Sequence, residues 1–292
     1  MADIFDNIIS LPNKEVEKQT ESLIGFQSKF DRIFNNLKLL LDQGSLSDWS
    51  KKYHKVELPI IMQLKDKYPL IILAGDAGTG KTISAISIAD KMTRELEKEG
   101  FFLKLSTRVR GEGLHGEMGK LVNDAFSELK KQAGKHRLAF LLIDEADAIA
   151  TTRATGQMHQ EEKAAVNTLI QKIDEVREMK GRAILFMSTN RLHFIDEAII
   201  RRAAIILEFK RPTKEEYKEL YAQSLEGLNL TDEELNELAK LSQKDGDLGY
   251  SFSDVRLKVL PEAVAMAYPN KPISFAILKE VIKNIHPSPE IK

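Results

Sequence analysis

One short segment, GDAGTGKT from Gly75 to Thr82, constrains the fold of this chain more than any other feature. The apolar run at residues 70–74 before it predicts a buried strand, and apolar residues at helical spacing after it predict a helix over residues 83–96. A glycine-rich turn between a strand and a helix directs backbone N–H groups and the helix N-terminus towards phosphate. The segment therefore predicts a nucleoside triphosphate site in an α/β fold.

The residues of this loop have separate expected roles. Lys81 is expected to reach the terminal phosphates, and Thr82 is expected to place its hydroxyl on a magnesium ion. A nucleoside triphosphate and Mg²⁺ are therefore the predicted ligands, and the resemblance described below implies that the nucleotide is ATP. The predicted nucleotide-binding residues of the segment are Ala77, Gly78, Thr79, Gly80, Lys81, Thr82 and Ile83.

Composition restricts the classes of partner. The 292 residues include 43 basic and 44 acidic side chains, with a formal net charge of -1, so the overall charge favours neither nucleic acid nor a membrane surface. The chain contains no cysteine, which excludes disulfides and thiolate metal sites and agrees with a reducing compartment. No apolar run is long enough to span a bilayer, and the N-terminus lacks the features of a signal peptide. We expect a cytoplasmic protein.

Strand and helix patterns alternate as far as residue 209. Further strands are predicted at residues 101–106, 138–143, 183–188 and 205–209, with helices between them, which is typical of a parallel sheet flanked by helices. After Pro212 only helical patterns remain, four in number. We therefore predict an N-terminal arm (1–23), a large α/β domain (24–211) and a small all-helical domain (212–292).

Two other predicted strands end in polar residues. The strand at 138–143 is followed directly by Asp144 and Glu145, and carboxylates in such a position are costly unless they have a function. Asp144 is expected to share the magnesium ion with Thr82, and Glu145 is expected to act as the base for the water that attacks the γ-phosphate. Asn190, after the strand at 183–188, is expected to bind that water or the γ-phosphate.

Arg201 and Arg202 follow a short helix near the end of the α/β domain. Adjacent arginines are usually solvated surface residues. At this edge, however, an arginine could also reach the nucleotide of a neighbouring subunit, where it would stabilise charge on the transferring phosphoryl group. This second interpretation requires a ring or at least a dimer.

The ordered set of motifs resembles the AAA+ ATPase module: Walker A, Walker B at residues 141–145, sensor 1 at Asn190, then arginine fingers. The resemblance implies that Ile24 and Gly25 lie against the adenine and that the helical tail is the lid over the nucleotide. It also implies a sensor 2 residue in the lid. Ser253 and Arg256 both fit that position, and we favour Arg256.

Within that superfamily the chain is similar to the pachytene-checkpoint ATPases, which remodel HORMA-domain proteins. The similarity is carried by EMGKLV at residues 117–122 with Phe126, by LIDE at 142–145, and by the stretch 165–174. It implies a homo-hexamer that threads a HORMA protein through a central pore. Bacterial relatives restrain an antiviral nucleotidyltransferase that makes cyclic oligonucleotides. Leu114, His115 and Gly116 occupy the position of the pore loop, which usually carries aromatic residues.

Two other functions remain open at this point. A nucleic-acid-associated AAA+ ATPase, such as a loader or transposition helper, would need a basic stripe and usually a DNA-reading domain, and neither is visible. A nucleotide-gated scaffold that barely hydrolyses ATP is disfavoured by the presence of Glu145, Asn190 and Arg202.

Overall fold

The computed structural model describes residues 4–106, 117–152, 160–244 and 248–290. The predicted pore-loop residues Leu114, His115 and Gly116 lie outside the described residues. By its internal contacts the chain divides into two compact units. The first comprises residues 1–74 and 82–208, and the second comprises residues 75–81 and 209–292. The predicted division into an arm, a large domain and a helical domain stays a prediction.

A six-stranded sheet is built from the described residues, and it is mostly parallel. Its order is β1-β3-β4-β5-β2-β6, and the pairs β2–β5, β3–β4 and β4–β5 are parallel while β1 runs antiparallel to β3. The strands are β1 (Phe5–Leu11), β2 (Leu70–Gly75), β3 (Gly100–Leu105), β4 (Leu138–Ile143), β5 (Ala183–Thr189) and β6 (Ile205–Phe209). The predicted α/β class is confirmed, with the antiparallel edge strand as an addition.

Helices connect these strands, as the alternating pattern predicted. Those before β6 are α1 (Lys14–Glu21), α2 (Phe26–Leu41), α3 (Gln43–His54), α4 (Pro59–Lys65), α5 (Lys81–Glu95), α6 (Glu117–Ala133), α7 (Gln160–Arg177) and α8 (Glu197–Ile200). Those after β6 are α9 (Lys214–Ser224), α10 (Asp232–Gln243), α11 (Phe252–Asp254), α12 (Leu260–Ala267) and α13 (Phe275–Asn284). A π-helical turn over Val255–Val259 joins α11 to α12.

The central strands form the core of the first unit. Every residue of β4 and β5 is buried. These strands therefore lack the alternation of apolar and polar residues that is typical of a strand with one exposed face. Parallel strands place their carboxyl ends at one edge of a sheet, so the polar residues that follow β4 and β5 are brought to the same edge as the end of β2. This arrangement positions the site described below.

The predicted N-terminal arm contains two regular elements. Residues 5–11 form the edge strand β1, and residues 14–21 form α1, which is capped by the Asn13 side chain. The segment is attached to α5, because the Asn13 backbone N–H donates to Asp90 Oδ1 at 2.6 Å and the Thr20 hydroxyl donates to Ser87 Oγ at 2.8 Å. The polar, mixed stretch after α2 forms α3 and α4.

The helices of the second unit surround buried tyrosines. The Tyr221 hydroxyl and Ser242 Oγ are 2.7 Å apart, and the Tyr250 hydroxyl donates to the Ile282 carbonyl at 2.8 Å. Capping boxes begin α9 at Thr213 and α10 at Thr231. Each hydroxyl is satisfied, so the tyrosines add buried area without leaving an unpaired polar group.

None of the helices in the described ranges has the length and apolarity needed to cross a membrane.

Candidate active site

The glycines of the 75–82 loop hold backbone conformations that other residues rarely adopt. Gly78 has a φ of 72° and Gly80 a φ of 92°. A Cβ atom at Gly75 would lie 2.0 Å from the carbonyl oxygen of Phe209, so only glycine fits where β2 ends. The loop therefore has the tight backbone path that a phosphate cradle requires.

Lys81 is buried, and its ammonium group points back into the loop. It donates to the carbonyl oxygens of Gly75 at 2.9 Å and Asp76 at 2.8 Å, and only 8% of the residue is exposed. The hydroxyl of Thr79 donates to the same Asp76 carbonyl at 2.7 Å. The loop carbonyls thus hold the ammonium group within the loop, and its role in phosphate binding stays a prediction.

Thr82 and Asp144 are adjacent in the folded chain. The Thr82 hydroxyl donates to Asp144 Oδ2 at 3.0 Å, and the Ser188 hydroxyl donates to Asp144 Oδ1. The Lys104 ammonium group on β3 lies 3.4 Å from Asp144 Oδ2. Burial alone would raise the pKa of Asp144, but the Ser188 hydrogen bond and the Lys104 charge outweigh it and lower that pKa. Asp144 is therefore held ionised.

This pair of side chains fits a magnesium ion. Mg²⁺ prefers oxygen ligands and usually keeps several waters, so one carboxylate and one hydroxyl next to substrate phosphates are sufficient. Within the described ranges no cluster of three or more acidic, histidine or cysteine side chains is arranged to hold a metal ion. The assignment of Mg²⁺ to Thr82 and Asp144 stays a prediction.

Glu145 is exposed, in contrast to Asp144 before it. Its φ is 49°, a left-handed conformation that turns the chain sharply after β4, and its backbone N–H donates to Asp144 Oδ1 at 3.2 Å. A positive φ at a non-glycine residue is uncommon and is found in functional sites. The turn separates the two carboxylates, so Asp144 faces Thr82 while Glu145 is open to solvent.

Asn190 follows β5 directly and is half-buried. Thr189 before it donates through its hydroxyl to Asp147 Oδ1 at 2.9 Å, which ties the end of β5 to the turn after β4. The Thr189 hydroxyl oxygen also accepts the Arg191 backbone N–H at 2.9 Å. The predicted sensor residue is therefore placed beside the Asp144–Glu145 turn by the parallel pairing of β4 with β5.

The two adjacent arginines have different environments. Arg202 forms an ion pair with Asp174, with Nε 2.7 Å and Nη2 3.2 Å from the two carboxylate oxygens, and it lies over the ring of Tyr68. That hydrogen bond raises the pKa of Arg202. The Arg201 side chain is 79% exposed and contacts only the equally exposed Glu197 among the ion pairs of the described residues, at 3.2 Å. Of the two, Arg201 is the one whose guanidinium extends into solvent.

The predicted adenine-contact and sensor 2 residues lie outside the strand ends. Ile24 is buried, and Gly25, with a φ of 67°, caps the start of α2. In the second unit the Ser253 backbone N–H donates to the Gly78 carbonyl at 3.2 Å, whereas Arg256 is exposed. Ser253 thus contacts the phosphate loop, although the sequence analysis favoured Arg256 as sensor 2. The role of either residue stays a prediction.

Sequence reasoning missed two neighbours of Asp144. These residues are Ser188 at the end of β5 and Lys104 in β3. Lys104 lies next to β4 because residue 104 of β3 pairs with Leu142. A lysine within an otherwise apolar strand could have indicated a functional role for Lys104. Its contact with Asp144 could not be predicted, because it depends on the order of the strands in the sheet.

The fold and the site define an ATPase of the AAA class, since residues 71–211 match the family described as ATPase family associated with various cellular activities. Over 290 residues the chain is 44% identical to the CD-NTase-associated protein 6 of Escherichia coli strain KTE188, covering 99% of this chain and 97% of the relative. The chain therefore belongs to the AAA ATPases of the CD-NTase-associated protein 6 family.

Solved structures agree with this assignment. A chain in the structure of the E. coli MS115-1 HORMA:CdnC:Trip13 complex is similar with a TM-score of 0.90 and 35% identity, covering 99% of this chain and 97% of that one. The structure of Rhizobiales Trip13 is similar with a TM-score of 0.76 and 28% identity, covering 98% and 99% of the two chains. The similarity therefore extends over both units.

Proposed function

We propose that this chain is a ring-forming ATPase that uses ATP hydrolysis to remodel or disassemble a HORMA-domain protein complex. In this way it would restrain a nucleotidyltransferase of an antiviral signalling system. The observation that carries the proposal is the full-length similarity to a chain solved together with HORMA and CdnC proteins, at a TM-score of 0.90. The name of the relatives, CD-NTase-associated protein 6, supports the same kind of partner.

The chemistry follows from the placed side chains. Lys81 would neutralise charge on the terminal phosphates, and Thr82 with Asp144 would hold Mg²⁺, which supplies further charge stabilisation when it is bound. Glu145, exposed beside the ionised Asp144, would accept the proton of the attacking water, and Asn190 would orient that water. Asp144 stays ionised through Ser188 and Lys104, so it remains a metal ligand rather than competing for the proton.

A neighbouring subunit would complete the site. Arg201 is the better finger because its guanidinium is exposed, whereas Arg202 is held by Asp174 and Tyr68 of its own chain. A trans-acting arginine requires the ring that the resemblance implies, and we propose a homo-hexamer. Substrate threading would use Leu114, His115 and Gly116. A cytoplasmic location completes the proposal, in agreement with a chain that has no cysteine.

The test is an ATP-dependent disassembly experiment. The purified HORMA-domain protein and nucleotidyltransferase from the same genome are combined, and their complex is followed by size-exclusion chromatography after addition of this protein and ATP. Wild type should dissociate the complex. Glu145→Gln should bind ATP and capture the HORMA protein without dissociating the complex, because the nucleotide is bound but not hydrolysed.

Lys81→Ala is the matched control, since it removes the phosphate-binding charge and should neither capture nor dissociate the complex. An intact complex after incubation with active wild-type enzyme would contradict the proposal. ATPase activity that is stimulated by DNA with a steep salt dependence, and not by the HORMA protein, would instead support a nucleic-acid-associated ATPase.

A further inference from the structure

The phosphate-binding loop of this chain carries a buried ion pair that the nucleotide-binding motif does not require. Asp76, the second residue of the loop, accepts a hydrogen bond at Oδ2 from Arg211 Nε at 2.6 Å, and Arg211 Nη2 lies 2.5 Å from the same oxygen. Both side chains are only 10% exposed. The two residues are 135 positions apart, and both belong to the second unit.

Asp76 contacts both ends of the loop. Its Oδ1 accepts the Ala77 backbone N–H at 2.8 Å, and its carbonyl oxygen accepts the Lys81 ammonium at 2.8 Å. A displacement of Asp76 therefore changes the position of the lysine that binds phosphate and the direction of a loop N–H group. Arg211 fixes Asp76, so it acts on the phosphate site through Asp76 rather than by direct contact.

Arg211 also joins the loop to two other segments of the second unit. Its Nη1 donates to the Gly249 carbonyl and its Nη2 donates to the Ser288 carbonyl at 2.7 Å. Ser288 in turn donates through its hydroxyl to Asp254 Oδ1 at 2.6 Å. One guanidinium group therefore connects the phosphate loop, the segment before α11 and the segment after α13.

We propose that Arg211 is a positioning residue for nucleotide binding, which neutralises Asp76 beside the phosphate site and ties the loop to the Gly249 and Ser288 segments. Without Arg211, an unpaired and largely buried carboxylate would remain in a loop that binds phosphate, where its charge would repel the ligand. Removing both residues would remove the repulsion as well. The inference depends on the ATPase activity alone and not on the HORMA substrate.

The test is a double-mutant cycle on ADP affinity. The dissociation constant for ADP is measured by isothermal titration calorimetry for wild type, Arg211→Ala, Asp76→Ala and the double variant. Arg211→Ala should raise that constant by about tenfold or more, because the loop then carries an unopposed negative charge. Asp76→Ala should raise it less, and the double variant should bind ADP more tightly than Arg211→Ala.

This order of affinities separates charge neutralisation from a merely structural role. If the pair only stabilises the fold, the double variant should bind no better than Arg211→Ala, and that result would overturn the proposal. So would a folded Arg211→Ala protein with the wild-type ADP affinity.

Two further variants complete the experiment. Lys258→Ala is the matched control, since Lys258 contacts Asp254 at 2.8 Å and Ser288 at 2.6 Å in the same cluster, and its loss should leave ADP affinity within about twofold. If Arg211→Ala fails to fold, Arg211→Gln is used, which keeps side-chain N–H donors but removes the positive charge. A loss of ADP affinity in folded Arg211→Gln supports the proposal, and unchanged affinity contradicts it.

Discussion

The hydroxyl of Thr82 and the carboxylate of Asp144 are 3.0 Å apart, although 62 positions separate them in the chain. The contact joins the last residue of the glycine-rich loop to the first residue after β4. Ser188 and Lys104, from the two strands that flank β4, also contact that carboxylate. The predicted metal-binding side of the site is therefore built from the start of α5 and from β3, β4 and β5 rather than from one motif.

This contact predicts the effect of changing Thr82. Thr82→Ala should lower ATP turnover by at least about tenfold and raise the Mg²⁺ concentration needed for half-maximal activity, because one oxygen ligand is lost. Thr82→Ser keeps the hydroxyl and should retain most of the activity. Steady-state ATPase assays over a Mg²⁺ titration measure both effects. Equal Mg²⁺ dependence in Thr82→Ala and wild type would contradict the assignment.

Ser188 stabilises the negative charge of Asp144, so we expect that replacing Ser188 changes the pH dependence of ATPase activity. Its hydroxyl helps to lower the pKa of Asp144, so Ser188→Ala should raise that pKa towards the ordinary carboxyl value or above it. Asp144 would then become protonated at a higher pH, and the acid limb of the pH–rate profile should move to higher pH. The profile of kcat is the measurement.

Ser127→Ala is the control for Ser188→Ala. Ser127 is an exposed helix residue whose hydroxyl donates to the Asn123 carbonyl at 2.8 Å, so its loss should leave the pH–rate profile unchanged. An acid limb that does not move in Ser188→Ala would show that this hydroxyl has no influence on the titration of Asp144 during turnover.

The hydrophobic patterns of the sequence predicted the central strands of the sheet, because these strands are buried along their whole length. All six residues of β4 are buried apolar side chains, and the glycine loop lies between a strand and a helix that both show strong patterns. The edge strand β1 was missed because four of its seven residues are exposed, so it has no apolar run. Edge strands are recognised mainly by their backbone pairing, which the sequence pattern does not reveal.

The contacts of the site were predictable from the sequence only where both partners belong to recognisable motifs. Thr82 and Asp144 were expected to share one metal ion, and they are hydrogen-bonded. The Lys104–Asp144 and Asp76–Arg211 pairs depend on which strands and segments become neighbours. Packing over the whole chain decides which strands and segments become neighbours. The local sequence around Lys104 or Asp76 therefore does not identify the partner of either residue.

The two arginines near the end of the first unit predict opposite phenotypes. Arg201→Ala should reduce turnover by about 10³-fold if Arg201 is the trans-acting finger, with little change in thermal stability, because its side chain is 79% exposed. Arg202→Ala should lower the free energy of unfolding by about 1 kcal/mol, since it removes the ion pair with Asp174. ATPase assays and thermal melts of both variants distinguish these roles. A large loss of turnover in a stable Arg202→Ala protein, with active Arg201→Ala, would reverse the assignment.

Asp254 predicts a pH-dependent part of the stability of the second unit. Burial would raise its pKa, but Lys258, Ser288 and Ser251 outweigh burial and lower it well below the ordinary value. A group whose pKa is lower in the folded state stabilises the fold above its unfolded pKa, and this stabilisation is lost as pH falls through the folded value. Asp254→Asn should therefore be less stable than wild type by about 2–4 kcal/mol near pH 7, and the difference should shrink below about pH 4. Urea denaturation followed by circular dichroism at several pH values measures this difference in stability.

Glu219→Gln is the control for Asp254→Asn. Glu219 is exposed, so the effect of this substitution on stability should not depend on pH in this way. A difference that stays constant between neutral and acid pH would mean that the carboxylate charge of Asp254 is not what stabilises the fold.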